Sequence, residues 1–135
     1  MEQLGSDTFN MKKMIADYME NGLLDNIVDM FKHDKNLYTY IGYLIADERI
    51  RVRIGATALL EILNKEDAEH THEAVPSILP LLKDQNPVIR GDAANLLGII
   101  GDAQTIPFLE ELMTDEDQNV RIIAKEAIDE IQSHF

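Results

Sequence analysis

Three aspartates, Asp47, Asp84 and Asp115, are each followed six positions later by an arginine: Arg53, Arg90 and Arg121. An acid and a base recurring in one frame mark the surrounding segments as copies of a single unit, and a repeated unit restricts the fold more than any local propensity does. Counted from each Asp, the apolar residues fall into columns. Ile41, Ile78 and Leu109 stand six before it, Leu44, Leu81 and Leu112 three before, and Ile45, Leu82 and Met113 two before. These spacings put them on one face of a short helix that ends at the Asp. Val52, Ile89 and Val120 stand five after it, followed by Ala56, Ala93 and Ala124 at nine, Leu60, Leu97 and Ile128 at thirteen, and Leu63, Ile100 and Ile131 at sixteen. This second series predicts a longer helix. Its alanine column lets neighbouring helices approach closely without loss of helix propensity. Neither helix buries its stripe alone, so stacked units must share a continuous core.

The punctuation fits this unit. Asn86 before Pro87 reads as an N-cap and first helical residue, because proline loses nothing where the amide has no intrahelical partner. Asp117 holds the equivalent place in the last unit and Arg49 in the first. Gly101 is expected to close its helix in the left-handed conformation. Pro76 and Pro107 each lie eight positions before their Asp, near the start of a short helix. The Asp markers are separated by 37 and then 31 residues, and the extra six are assigned to a loop from Asn64 to Ala74. Upstream, Asp7 to Glu20 and Leu23 to Lys32 read as two helices broken at Asn21-Gly22, with Phe9, Met11, Met14, Ile15, Tyr18, Ile27, Val28 and Phe31 available for packing. The expected organisation is one domain over 1–135: a degenerate capping pair at 6–33 and repeats at 36–64, 70–101 and 103–134. The fold class is all-α, a short solenoid of about four antiparallel helix pairs.

Several function classes lose ground on composition. Without cysteine there is no disulfide framework, thiolate metal site or cysteine nucleophile. The first residues lack the basic start and apolar run of a signal peptide, and no apolar stretch approaches a membrane span, so a cytoplasmic location is expected. Twelve Lys and Arg against 25 Asp and Glu give a formal net charge of −13, which repels phosphate backbones and anionic lipid. Neither nucleic acid nor a membrane is an expected partner. The imbalance grows toward the end: from Asp84 to Phe135 eleven acids face three bases.

Asn86-Pro87-Val88-Ile89-Arg90, Ala93-Ala94, Leu97-Gly98, Gly101-Asp102 and Asp115-Glu116-Asp117 before Val120-Arg121 together resemble the HEAT-like repeats named after phycobilisome lyases. The resemblance covers about residues 36–134, and the first unit departs from it where Arg49 replaces the cap. It implies an α-solenoid whose longer second helices line the concave side, and an Asp and Arg ladder along the stack. In physical terms, a carboxylate at the bend accepts from free amides of the next helix and from an arginine fork. Asp47, Arg53, Asp84, Arg90, Asp115 and Arg121 are therefore read as architecture rather than catalysis.

Some relatives of this repeat class are enzymes. The deoxyhypusine hydroxylases hold iron through several His-Glu dipeptides, whereas this chain has one, His72-Glu73, with His70 nearby. Three or four convergent ligands are needed, so His70 and His72 are read as surface histidines and no metal or cofactor is expected. Bilin lyases share the repeat, but no lyase site beyond the scaffold is recognisable. The tyrosines Tyr38, Tyr40 and Tyr43 suit an interface, though with Ile41, Leu44 and Ile45 on the same helix core or half-buried packing is favoured. Positions seven, eleven, fourteen and eighteen after the Asp point away from the second-helix core: Ile54, Ala58, Glu61 and Lys65; Gly91, Asn95, Gly98 and Asp102; Ile122, Glu126, Asp129 and Ser133. The expected function is a non-enzymatic protein-interaction scaffold. Its acidic concave face, represented by Glu61, Asn95, Glu126 and Asp129, receives a basic or amphipathic segment of a protein partner. The alternative is an enzyme or enzyme accessory of the lyase or metal-dependent hydroxylase kind. The sequence sets no oligomeric state.

Overall fold

A computed structural model describes residues 2–135, with side chains from Asn10 onward. Among these residues the chain is helical throughout, with no strand. The helices α1 (Glu2–Glu20) and α2 (Leu24–His33) form the first pair. Gly22, at φ +79°, supplies the left-handed residue of the bend between them. A 3-10 turn, Lys35–Tyr40, runs into α3 (Ile41–Ile45), which pairs with the longer α4 (Ile50–Glu66). Next come α5 (Ala68–Thr71) and a 3-10 turn at His72–Ala74, then α6 (Val75–Ile78) and a 3-10 turn at Leu79–Lys83, the last two paired with α7 (Pro87–Ile100). Finally α8 (Ile106–Glu110), extended by the 3-10 turn Glu111–Thr114, pairs with α9 (Gln118–Gln132). The first helix reaches back to Glu2 rather than starting at Asp7. Phe9, assigned to packing from sequence, lies outside the described side chains.

The first rods of the three later pairs are short α turns spliced to 3-10 turns, and their sequences explain why. Pro76 and Pro107 sit at the opening of α6 and α8, where a missing amide is harmless. Pro80 falls inside the run and tightens it into 3-10 geometry. The second helices are regular and carry the apolar columns. Val52, Ala56, Leu60 and Leu63 on α4, with Ile89, Ala93, Leu97 and Ile100 on α7 and Val120, Ala124, Ile128 and Ile131 on α9, are buried in one core. Ile41, Ile78 and Leu109 meet them from the first layer. Met113 breaks its column and is exposed at 38%. Tyr38 is core, edge-on to Phe31 at a centroid distance of 5.4 Å, while Tyr40 and Tyr43 are half-buried beneath the Lys12 ammonium.

Two sequence expectations fail here. Asn64 to Ala74 is not a loop: α4 continues to Glu66 and the rest coils into α5 and the following 3-10 turn. Tertiary bonds fix this polar stretch. The Asp67 carboxylate accepts from Lys35 Nζ at 2.8 Å, Tyr38 Oη at 2.6 Å and His70 Nδ1 at 2.9 Å, and Thr71 donates to Asn64 Oδ1 at 3.2 Å. Gly101 is extended, at φ −77° and ψ 173°, and not left-handed. Glycine is required there for space, since a Cβ would lie 2.4 Å from the Leu97 carbonyl oxygen and 2.9 Å from Thr105 Oγ1.

Candidate functional site

Each of the three bends is built in the same way. The Asp47, Asp84 and Asp115 carboxylates accept from the amides two residues ahead, Arg49, Asn86 and Asp117, at 2.8, 2.8 and 2.9 Å. Arg53, Arg90 and Arg121 each return one Nη1 to the carbonyl of their own Asp, at 2.9, 2.9 and 2.6 Å. Asn86 and Asp117 then cap α7 and α9 by accepting from Val88 and Val120, whereas Arg49 caps nothing. The arginine spends its donors on carbonyls at the bend, which the end of the first rod leaves free, and so ties the start of the second helix to the rod before it.

Between units the stitching is uneven. Arg90 reaches forward to Asp115 with Nε and Nη2, both at 2.9 Å, in a pair only about a tenth exposed on either side. That hydrogen bonding holds the Asp115 carboxyl below its usual range and raises the Arg90 guanidinium. At the other end, Arg49 donates to Asp17 of α1 at 2.9 Å. Among the described residues Arg53 makes no such rung to Asp84, so the ladder implied by the repeat is interrupted at the middle junction.

The second-helix layer opens at that same junction. Between α7 and α9 the units touch through glycine: a Cβ on Gly98 would lie 2.8 Å from Ala127 Cα, and one on Gly91 3.1 Å from Ile123 Cδ1. Both glycines are buried between helices, and each forms part of the wall of a hollow beside that contact. At the matching places α4 carries Ile54 and Glu61, and α7 leans on α9 far more closely than on α4. The first layer is pinched instead, with Gly42 donating its amide to Ser77 Oγ at 3.1 Å and leaving no room for a Cβ.

The result is a cleft of about 460 Å³ between α4 and α7, lined by Ile50, Arg53, Ile54, Thr57, Ala58, Glu61, Val88 and Asp92. Over the crest of α7 it meets a second hollow of about 340 Å³, which shares Val88 and Asp92 and adds Gly91, Asp117 and Ile122. A third, of about 250 Å³, contains Asn95 and Glu126 and shares Ile123 with the second. Of the residues singled out from sequence, Asn95 and Glu126 thus lie together and Glu61 sits in the first cleft. Asp129 lines none of these hollows and is ion-paired with Lys125 at 2.8 Å on the exposed side of α9. Ile50, Val88 and Asp92 were missed. The available signal for Asp92 was its place as the one acid in the apolar run of α7.

His70 and Asp67 approach Glu69 closely enough to hold a cation together. The Asp67 oxygens are already committed, however, and the Lys35 ammonium 2.8 Å away occupies the place of the charge a metal would supply. Burial pushes the Asp67 carboxyl up, but hydrogen bonds from Lys35, Tyr38 and His70 outweigh it and hold the group far below the usual carboxylate range. His72 is exposed and faces Asp102 at 3.8 Å, away from that group. This arrangement fastens the inserted segment to the Lys35–Tyr40 turn.

Short first rods, longer second helices and a core shared from unit to unit define an α-solenoid. Compared with known protein families, residues 39–129 match HEAT repeats. The chain belongs to the HEAT repeat family. No curated protein sequence matches it. Repeats of this kind present extended surfaces for protein partners. No helix among the described residues is long and apolar enough to cross a membrane.

Proposed function

We propose that the protein is a non-enzymatic scaffold that captures a basic or amphipathic segment of a partner protein on the acidic concave face formed by α4, α7 and α9. Glu61, Asn95, Glu126 and Asp129 are its polar contacts. One observation carries this reading: exposed carboxylates and small side chains border three connected hollows on the second-helix layer of a chain with a net charge of −13. Such a field draws cationic segments in and turns phosphate polymers and anionic membranes away. A cytoplasmic partner fits this reading. The test is affinity capture from cells of the native host, comparing wild type with the triple variant Glu61→Lys, Glu126→Lys, Asp129→Lys. Co-purifying proteins should be lost from the variant while its thermal melt stays within a few degrees of wild type. Retention of the same partners eliminates this face.

A further inference from the structure

The α4–α7 cleft carries a feature that net acidity does not require. Ile50 and Ile54 on α4 are 63% and 65% exposed, Val88 on α7 53% and Ile122 on α9 47%, although the apolar columns beside them are buried. Ile50 and Ile54 lie one turn apart on one helix face. Together the four form an apolar track across the second helices. Asp92 sits in the middle of it, half-buried and lining both hollows that meet at Val88. Among the described residues its carboxylate accepts no hydrogen bond. Burial raises its pKa, and the only opposing influence is the charge of Arg53, one Nη of which is committed to the carbonyls of Asp47 and Glu48. A half-buried carboxylate that accepts no hydrogen bond inside an apolar track suits a cation delivered from outside, beside the Arg53 that already lines the cleft.

We propose that this track is the seat of a basic amphipathic α-helix from another protein, with one lysine or arginine entering the α4–α7 cleft to pair with Asp92 and its apolar stripe resting on Ile50, Ile54, Val88 and Ile122. The proposal rests on the scaffold reading above and deepens it by naming the shape of the partner and the residue that selects it. A helix suits the track because isoleucine and valine offer no partners to peptide amides and, among the described residues, no strand edge is present for an extended peptide to join. A helix satisfies its own backbone before it docks. Adjacent packed helices lie roughly 8–10 Å apart, so crossing three of them takes about 16–20 Å, or roughly 11–13 residues at 1.5 Å each.

The probe is a fluorescein-labelled synthetic 18-residue peptide of leucine and lysine patterned as an amphipathic helix, with a scrambled peptide of identical composition as control. Binding is read by fluorescence anisotropy, and circular dichroism reports helix gained on binding. Asp92→Asn should weaken binding about tenfold and Ile54→Ser similarly. Both variants leave the buried columns untouched, and their melts confirm folding. The patterned peptide should outbind the scrambled one at least about tenfold, since plain charge attraction does not distinguish them. Equal binding of the two peptides, or no effect of Asp92→Asn and Ile54→Ser, overturns the proposal. If the Glu61, Glu126 and Asp129 reversals nevertheless abolish capture in cells, the broader scaffold reading survives that result. Sedimentation in which wild type dimerises and Ile54→Ser does not would assign the track to a second copy, also overturning the proposal.

Discussion

Replacing Arg90 with methionine keeps the apolar stem and removes only the guanidinium. Four hydrogen bonds disappear: two to Asp115 at 2.9 Å and two to the carbonyls of Asp84 and Gln85 at 2.9 and 3.2 Å. Removing one member of a buried ion pair costs about 3–5 kcal/mol, mostly because the other charge stays behind without compensation. Asp115 keeps the Asp117 amide and can draw in some water, which places the loss near the lower bound, about 3 kcal/mol. With an unfolding entropy of about 2.1 cal/mol/K per residue over 135 residues, this corresponds to a fall in Tm of roughly 10 °C. The assay is reversible thermal unfolding followed by circular dichroism, repeated at high salt to separate the local loss from general charge repulsion. Asp115→Asn should remove the orphaned charge, so the double variant should be less destabilised than the sum of the singles by about 1–2 kcal/mol. A Tm shift below about 3 °C for Arg90→Met, or strict additivity in the double variant, refutes the claim that this pair holds the last two units together.

Gly42→Ala should be more damaging than its size suggests, because its Cβ would lie 2.1 Å from the Ser77 carbonyl oxygen and force the first-layer helices apart. A loss of about 2–3 kcal/mol by urea denaturation is expected, and an unchanged midpoint would contradict the close approach. Acid should act through Asp67. Its folded pKa lies below the ordinary 3.8, so the stability it contributes is complete above that value and drains away as pH falls through the folded pKa. Melts taken from neutral pH down to about pH 3 and below should show a shallower acid loss for Asp67→Asn than for wild type, and parallel curves would remove Asp67 from the account.

What was legible in the sequence was whatever depends on one unit at a time. The apolar columns around each Asp needed only helical periodicity, and Asn86 and Asp117 announced their caps by residue type and position. The segment after Asn64 was illegible because its conformation is dictated by Lys35 and Tyr38, about thirty residues away, acting on one carboxylate. The binding face was half-legible for a related reason. Periodicity says which residues leave their own helix core but not which of them a neighbouring helix covers. That depends on spacing: glycine at 91 and 98 lets α9 close over α7, while Ile54 and Glu61 at the matching places of α4 line an open cleft. Asp92 escaped because it lies one position beyond the column expected to face outward, and its neighbours decided its exposure.

The interruption of the Arg and Asp rungs at the middle of the stack has a mechanical consequence. A rod bends where its cross-links are sparse, and here the sparse place is fastened along one edge by Gly42 against Ser77 and left open along the other. Any flexing of the stack at this junction is therefore expected to pivot on the Gly42–Ser77 contact and to widen or narrow the hollow beside Asp92.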